Sequence, residues 1–340
     1  MSTLTSLIFK IKRRIWLNVV ARLRNRSIYH WIYVARWHAV IFQRNTGNAH
    51  KSYLSAVPNP GAGIGHQMAN WIAGLWFSKY FGMQFAHIPF SSELWENLLG
   101  LGQTLPLVSN LVNKQQYKKV QLPLFDESSE SEVQLIQKLI ASYGDQKIVF
   151  ILEQDQFYRD QFGVMQELKN RFFNSPSRLN DKFLFCDELL NIAIHVRRGD
   201  IVDGQRTGNK NLTLRWQDTS YFTNVLRSVL SNIQANKQPK VYVFSQGVLG
   251  DLSEFDQFGN VQYCFEMSPQ DSFLHMVYAD ILITSKSSFS YKPALLCNGL
   301  KVCPRNFWHG YPDDPLWVLA DEDGSFDDKA LAQLASAYAS

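Results

Sequence analysis

The sequence predicts an α/β protein of two domains, preceded by a basic, aromatic-rich helical segment. Three observations lead there. After about residue 190, short runs rich in β-branched residues alternate with stretches of helical periodicity, and such alternation makes βαβ units with a largely parallel sheet. The chain has 340 residues, above the usual domain size of roughly 50 to 250. Charge is segregated: residues 1–92 hold 11 lysines and arginines and no carboxylate before Glu93, leaving 23 basic against 30 acidic residues in the remainder.

With 46% hydrophobic and 19% charged residues, the composition is that of a folded chain, which excludes disordered, collagenous and coiled-coil classes. Cys186, Cys264, Cys297 and Cys303 make neither a disulfide framework nor a CxxC zinc pattern, so a reducing compartment is expected. No signal-peptide core is expected, because Lys10, Lys12, Arg13 and Arg14 interrupt the first apolar stretch. Nor is a membrane span: the uncharged stretch from Ser52 to Ser78 carries Pro58, Pro60 and several glycines and reads as a loop entering a helix, where a span needs about 20 apolar residues.

In the first fifty residues, Leu4, Ile8, Ile11, Ile15, Val19 and Leu23 recur at spacings of three and four, giving a helix one apolar face. Lys10, Arg13, Arg14, Arg22, Arg24 and Arg26 fill much of the rest, and Tyr29, Trp31, Tyr33, Trp37 and Phe42 follow with Arg36 and Arg44. Cations beside amphipathic rings suit an anionic membrane surface. A core-packing helix with a solvated basic face is the plainer alternative. A nucleic-acid patch is a third, though no binding motif accompanies it.

Further on, Met68, Trp71, Ile72, Leu75, Trp76 and Lys79 have helical spacing. The stretch from about 91 to 145 mixes patterns, with a helix at 133–140, then a buried strand at 147–152 and a helix over 158–173 that stops before Asn174-Ser175-Pro176. Strands follow at 191–196, 240–244, 261–265, 281–284 and 301–303. Helices fall between them, from Asp218-Thr219, over 272–279 and over 287–298. A domain boundary is expected near 175–190. The division is then 1–50 as the surface segment, 51–185 and 186–325 as the two α/β domains, and 326–340 as a C-terminal helix.

In a doubly wound sheet, ligands bind at the carboxyl ends of the strands. Three polar clusters stand there: His195-Val196-Arg197-Arg198-Gly199-Asp200, Ser245-Gln246-Gly247, and Ser285-Lys286-Ser287-Ser288-Phe289-Ser290. Paired arginines match phosphate oxygens bidentately. Serines opening a helix add hydroxyls to its unpaired N–H groups. The Gly61-Ala62-Gly63-Ile64-Gly65-His66-Gln67 turn would bring further N–H groups to the same anion. Each cluster also has a structural explanation: a tight turn, surface ion pairs, a helix cap. Arg198-Gly199-Asp200 spells an adhesion tripeptide as well, which a strand end in a reduced protein does not favour.

The segment from His195 to Asp200 is similar to the HxRRxD motif of the α-1,2-fucosyltransferases and their α-1,6 relatives, including the nodulation fucosyltransferases. The resemblance extends to Gly63-Ile64-Gly65-His66-Gln67-Met68-Ala69-Asn70, to Val243-Phe244-Ser245, and to the serine-rich run from Asp280 to Tyr291. These occur in family order across about residues 57–308.

The resemblance implies a GT-B-like fold: two facing Rossmann-like domains, with GDP-fucose held mainly by the second and a glycan acceptor in the cleft. It also implies inversion without a metal or other cofactor. Arg198 would neutralise the leaving phosphate with Arg197 beside it. His195 would contact the nucleotide, and Ser287, Ser288, Phe289 and Ser290 would line the phosphate site with Gly63, Gly65, His66 and Gln67. Asp200 and Asp203 are the candidate general bases. One departure stands out: Gln246 and Gly247 occupy positions where the family has an aspartate for the guanine, so Asp251 substitutes, or the base is held differently, or the nucleotide is another one.

The expectation is therefore an inverting, metal-independent fucosyltransferase of cell-surface polysaccharide synthesis. It would lie peripherally on the cytoplasmic side of a membrane through residues 1–50, with no nucleic-acid partner and an acceptor that is lipid-linked in one version. Its rivals are a GT-B enzyme using another nucleotide sugar and a non-catalytic phosphate- or glycan-binding protein. A metal-dependent enzyme would need Asp321-Glu322-Asp323 at a strand end, and these lie in a polar tail.

Overall fold

The computed structural model describes residues 3–42, 52–154, 156–199, 201, 202, 208, 214–233, 236–246, 249–327 and 331. The chain divides into two compact units: Met1–Asn59 with Asn70–Pro89 and Thr104–Tyr158, and Pro60–Ala69 with Phe90–Gln103 and Arg159–Ser340. Each is built on a wholly parallel sheet. The protein is of the α/β class, and paired parallel-sheet units are the components of a GT-B-like architecture.

In the first unit, β1 (Tyr53–Ala56), β2 (Gln84–Phe85), β3 (Lys118–Gln121) and β4 (Ile148–Leu152) lie in the order β2-β1-β4-β3. All five residues of β4 are buried, as expected where a parallel sheet is covered on both faces. Phe77 of α3 (Ile64–Tyr80) and Val133, Ile136 and Leu139 of α6 (Glu130–Ala141) pack with Leu54, Phe150 and Leu152. β1 falls in the stretch whose prolines and glycines read as a loop. Its four residues are too few to show a period before Pro58 ends it.

The N-terminal segment forms α1 (Thr3–Leu23), a 3₁₀ turn (Tyr29–Ile32) and α2 (Val34–Phe42). Of its expected apolar face, Ile8, Ile11 and Ile15 are exposed, while Leu23 packs inward. Leu23, Trp16 and Ile32 lie against a buried cluster of Val20, Tyr29, Tyr33 and Leu124. Tyr33 donates to Glu153 Oε2 at 2.8 Å, Trp16 Nε1 donates to the same oxygen at 3.4 Å, and the Leu124 amide donates to Tyr29 Oη at 2.8 Å. Burial, and then the Glu153 carboxylate, hold the Tyr33 hydroxyl well above its ordinary pKa. The plainer alternative, a core-packing helix, thus describes one face of the segment.

In the second unit, β5 (Leu189–Val196), β6 (Gln238–Ser245), β7 (Val261–Tyr263), β8 (Ile281–Ile283), β9 (Leu300–Pro304) and β10 (Trp317–Ala320) lie in the order β10-β9-β8-β5-β6-β7. Numbered within the unit, this is the doubly wound 3-2-1-4-5-6 arrangement read from the other edge, reversing between β5 and β8. Ile192, Ile194 and Val196 pack in one core with Phe222, Val225, Leu226 and Val229 of α8 (Thr219–Asn232). The two-residue period of a strand sends His195 to the opposite face. α9 (Pro269–Tyr278) precedes β8, and α10 (Ser288–Leu296) follows it.

The helix expected over 158–173 is a 3₁₀ turn (Gln161–Val164) followed by α7 (Met165–Phe173). β10 was not foreseen. Of the C-terminal helix expected over 326–340, the residues after 327 lie outside those described, apart from the buried Leu331. Against the expected cut near 175–190, residues 60–69, 90–103 and 159–185 group with the second unit. Gln161 accounts for part of this: its Nε2 donates to the Ala69 carbonyl at 3.1 Å while its Oε1 accepts from the buried Lys292 ammonium group's nitrogen. Lys292 is fully buried, which holds it well below an ordinary lysine pKa.

Tyr33→Phe should cost about 1–2 kcal/mol of stability, because it takes a donor from a buried carboxylate. Urea unfolding would read this as a lower midpoint with the slope unchanged, and an unaltered midpoint would contradict the role given to this contact.

Candidate functional site

Three strand ends and three helix starts of the second unit surround a cavity of about 460 Å³. It lies at the carboxyl edge of the sheet where the strand order reverses. His195, at the end of β5, and Ser285, just past the end of β8, meet there with Nδ1 and Oγ 2.8 Å apart. Burial, and then the Arg197 cation, push His195 from its ordinary 6.5 down to about 3. The ring is therefore neutral, able to accept or donate one hydrogen bond but contributing no charge.

The two arginines do different work. Arg198 is buried: its Nη1 donates to the carbonyls of Arg197 at 3.0 Å and Gln217 at 3.1 Å, and its Nη2 donates to Thr219 Oγ1 at 3.1 Å. Its guanidinium carbon lies 4.2 Å from the centre of the Trp216 ring. Arg197 is half-buried and reaches over the helix start, Nη1 donating to Ser287 Oγ at 3.1 Å.

Ser287 is the N-cap of α10, and its Oγ also accepts from the Phe289 amide at 3.2 Å. With the oxygen accepting twice, its hydrogen is left to donate. Ser290 instead lies behind the cap, its Oγ accepting from the Ser285 amide at 3.2 Å. It does not line the cavity.

From the other side, the first turn of α3 closes on α10. A Cβ on Gly65 would stand 2.6 Å from the carbonyl carbon and oxygen of Ser288, so only glycine permits this approach; at Gly63 nothing lies within 4 Å. Gly63, Gly65 and His66 line the cavity. Gln67 does not: its Nε2 donates to the Ala62 carbonyl at 2.8 Å and to Ser91 Oγ at 2.7 Å, and its Oε1 accepts from the Ser91 amide at 3.0 Å. It shapes the turn.

Of the residues expected from sequence, the cavity collects His195, Arg197, Arg198, Gly63, Gly65, His66, Gln246, Ser287, Ser288 and Phe289. Asp200, Asp203 and Gly247, and the side chain of Asp251, lie outside the described residues. Gln246 is exposed, and its carbonyl accepts from the Gly199 amide at 2.7 Å, with Gly199 at φ +53°. Phe244 and Ser245, from the second cluster and its motif, also line the cavity. The remaining wall was missed: Trp95, Phe265, Met267 and Pro269 are apolar, Ser272 polar, and Arg215 cationic. Ser245 Oγ is buried with no hydrogen-bond partner. Phe265 stands just past the end of β7, so the strand-end rule, applied to every strand, would have found it. Trp95 of α4 (Glu93–Leu99) comes from the stretch that mixes patterns.

The arrangement suits a molecule with a multiply charged anionic part and a flat apolar part. The anion would meet Arg197, the Ser287 hydroxyl and the α10 N-terminus, whose partial positive charge favours it. A ring would lie against the aromatic wall. Among the described residues, no group of three His, Cys, Asp or Glu side chains is placed to hold a metal ion. In the C-terminal acidic run, Asp321 pairs with Arg305 at 2.7 Å and Glu322 with Lys286 at 2.6 Å.

No family model matches this sequence, and no curated protein matches it. Solved fucosyltransferase structures are similar to it. POFUT1 in complex with GDP-fucose shares 10% identity with a TM-score of 0.42, covering 78% of this chain and 97% of that one. NodZ alpha-1,6-fucosyltransferase co-crystallized with GDP shares 12% with a TM-score of 0.42, covering 82% and 97%. The selenomethionine form of fucosyltransferase NodZ from Bradyrhizobium shares 12% with a TM-score of 0.43, covering 73% and 92%.

Two outcomes are expected. Gly65→Ala should destabilise the chain by about 1–3 kcal/mol through overpacking, while Gly63→Ala should be accommodated; equal effects in urea unfolding would remove the close approach as the reason for the glycine. Acid should also destabilise the fold. The unfolded chain protonates His195 near 6.5 and the folded chain only near 3, so this contribution is complete above the unfolded value and is lost as pH falls below it. His195→Asn should flatten that part of the stability–pH curve, and a curve of unchanged shape would contradict the neutral, buried ring.

Proposed function

We propose that the chain is an inverting glycosyltransferase that binds a nucleotide diphosphate sugar in this cavity, with GDP-fucose as donor and a cell-surface glycan as acceptor. The observation that carries the reading is Arg197 bridging to the Ser287 cap of α10 at 3.1 Å. Together they form a cationic, donor-rich cradle at the sheet's point of reversal, on the two motifs that resemble those of the fucosyltransferases.

In this reaction the acceptor oxygen attacks the anomeric carbon. The bond from that carbon to the β-phosphate oxygen breaks, and its electron pair leaves with the nucleotide diphosphate. Charge builds on the leaving phosphate, where fixed donors lower the barrier most. Arg197, the Ser287 hydroxyl and the α10 amides are suited to that role without a metal. Arg198, whose guanidinium is spent on Gln217, Thr219 and the Arg197 carbonyl, suits a positioning role that holds the Arg197 backbone in place. This exchanges the emphasis expected from sequence, where Arg198 led. His195, neutral, would hydrogen-bond the nucleotide. The aromatic wall would hold its base, and the partnerless Ser245 hydroxyl is a ready contact. Asp200 and Asp203 stand as the proposed general bases.

A glycosyltransferase with another nucleotide sugar is the second reading, favoured by Gln246: an uncharged amide answers the guanine N1–H and amino group less fully than a carboxylate. In either reading the enzyme works peripherally on the cytoplasmic side of a membrane, on an acceptor carried by lipid.

Calorimetric titration with GDP, UDP and CMP, in EDTA and then with Mg²⁺, tests the donor. Binding of GDP alone, indifferent to EDTA, is expected; preference for UDP or a requirement for Mg²⁺ would overturn the donor assignment. In a transfer assay, Arg197→Ala should lower kcat by about 10²–10³-fold, the usual loss on removing one transition-state donor, with the melting temperature kept. Arg198→Ala should lower both. Nucleotide binding without transfer to any glycan would leave a non-catalytic binding protein.

A further inference from the structure

α1 is assembled inside out. Its inner face meets the first unit through Arg13, which bonds Asn59 Oδ1 at 3.4 Å, through Trp16, and through Val20, which is buried. Its outer face carries Ile8, Ile11 and Ile15, which are 46%, 50% and 58% exposed. A helix whose only apolar neighbour is its own core turns its isoleucines inward. Lys10, Lys12 and Arg14 of the same helix are exposed as well. α2 continues the pattern, with Val34, Trp37 and Ile41 at 75%, 51% and 67% exposed. Trp37 donates its Nε1 hydrogen to the Trp31 carbonyl at 2.7 Å, and the Arg36 guanidinium lies 4.8 Å from the Trp31 ring.

We propose that this outer face of α1 and α2 is a docking surface for an anionic lipid bilayer, lying in the plane of the headgroups. Rows of exposed apolar side chains on α1 and α2 mark an interaction site, and the charge selects the occupant. No carboxylate occurs in residues 1–92, so a second copy placed on this face would set cations of these segments against cations. A nucleic acid would answer the cations but leave the isoleucine stripe in water. An anionic bilayer answers both: its phosphates meet Lys10, Lys12 and Arg14 while the apolar side chains enter the acyl boundary and the tryptophans sit at the interface. α1 does not cross the bilayer; no described helix is long and apolar enough to do so.

None of these residues lines the cavity of the second unit. The surface deepens the membrane part of the proposed function, and its failure would leave the donor reading standing.

The test is flotation of the full chain with phosphatidylcholine vesicles and with vesicles also containing phosphatidylglycerol. Binding to the anionic vesicles alone, weakened by added salt, is expected. Lys10→Gln, Lys12→Gln and Arg14→Gln together should lower the partition coefficient about a hundredfold, at roughly fivefold per charge. The pair Ile11→Ser and Ile15→Ser should lower it at least about tenfold. Both variants should keep the parent's nucleotide titration and melting temperature, since the altered side chains are exposed. Equal partition of parent and charge variant, or no flotation with either lipid, would overturn the proposal. So would a lipid-free dimer that the isoleucine variant dissociates, or retention on RNA that outlasts retention on vesicles.

Discussion

The second unit depends on a reversal. Its sheet grows in one direction from β5 to β7 and in the other from β8 to β10, and the strands on either side of the change cannot both be followed by helices on the same face. A gap opens at their carboxyl ends, and the His195–Ser285 hydrogen bond, 2.8 Å across, spans it. A charged imidazole there would bring an unpaired cation into a dry site beside Arg197. Burial keeps it neutral, and Ser285 fixes the ring.

Desolvation then sorts the two arginines. A guanidinium has five N–H donors and no way to lose its charge. One that is buried must spend its donors on the protein, as Arg198 does on two carbonyls and a threonine hydroxyl while Trp216 covers its face. One left half-exposed can answer an outside anion, as Arg197 is placed to do. Adjacent positions in sequence thereby acquire different tasks, because successive residues at a strand end leave on opposite sides. The same economy appears on α10, where Ser287 caps and still has a hydrogen to give, while Ser290 is consumed in tying the cap back to Ser285.

Much of this was legible in the sequence. Strands β4, β5, β6, β8 and β9 announce themselves as apolar runs because both faces of a parallel sheet are covered, and the polar clusters that follow three of the five mark the carboxyl edge. The glycine turn was legible as a turn. What was not legible was that Gly65, and not Gly63, is held by contact, since Ser288 is more than two hundred residues distant. Gln67 and Ser290 looked like ligands because amide and hydroxyl groups have the same chemistry whether they face a cavity or brace its wall. Short strands such as β1 and β2 give too few residues for a period to register. For α1 both a membrane-facing and a core-facing reading were legible for a related reason: periodicity shows that a helix has an apolar face, and only packing shows which way that face looks.

The four thiols of this chain are chemically unequal. Cys264, Cys297 and Cys303 are buried, and burial raises the first to about 11 and the last to about 12, where thiolate is scarce at neutral pH. Cys186 is exposed. It precedes β5, an eight-residue strand that rises about 3.3 Å per residue, so roughly 25 Å of sheet separates it from the carboxyl edge. A maleimide dye offered to the native protein would therefore select one address, on the amino side of the sheet. From there it can report on the molecule's tumbling and surroundings without standing in the way of whatever enters the cavity.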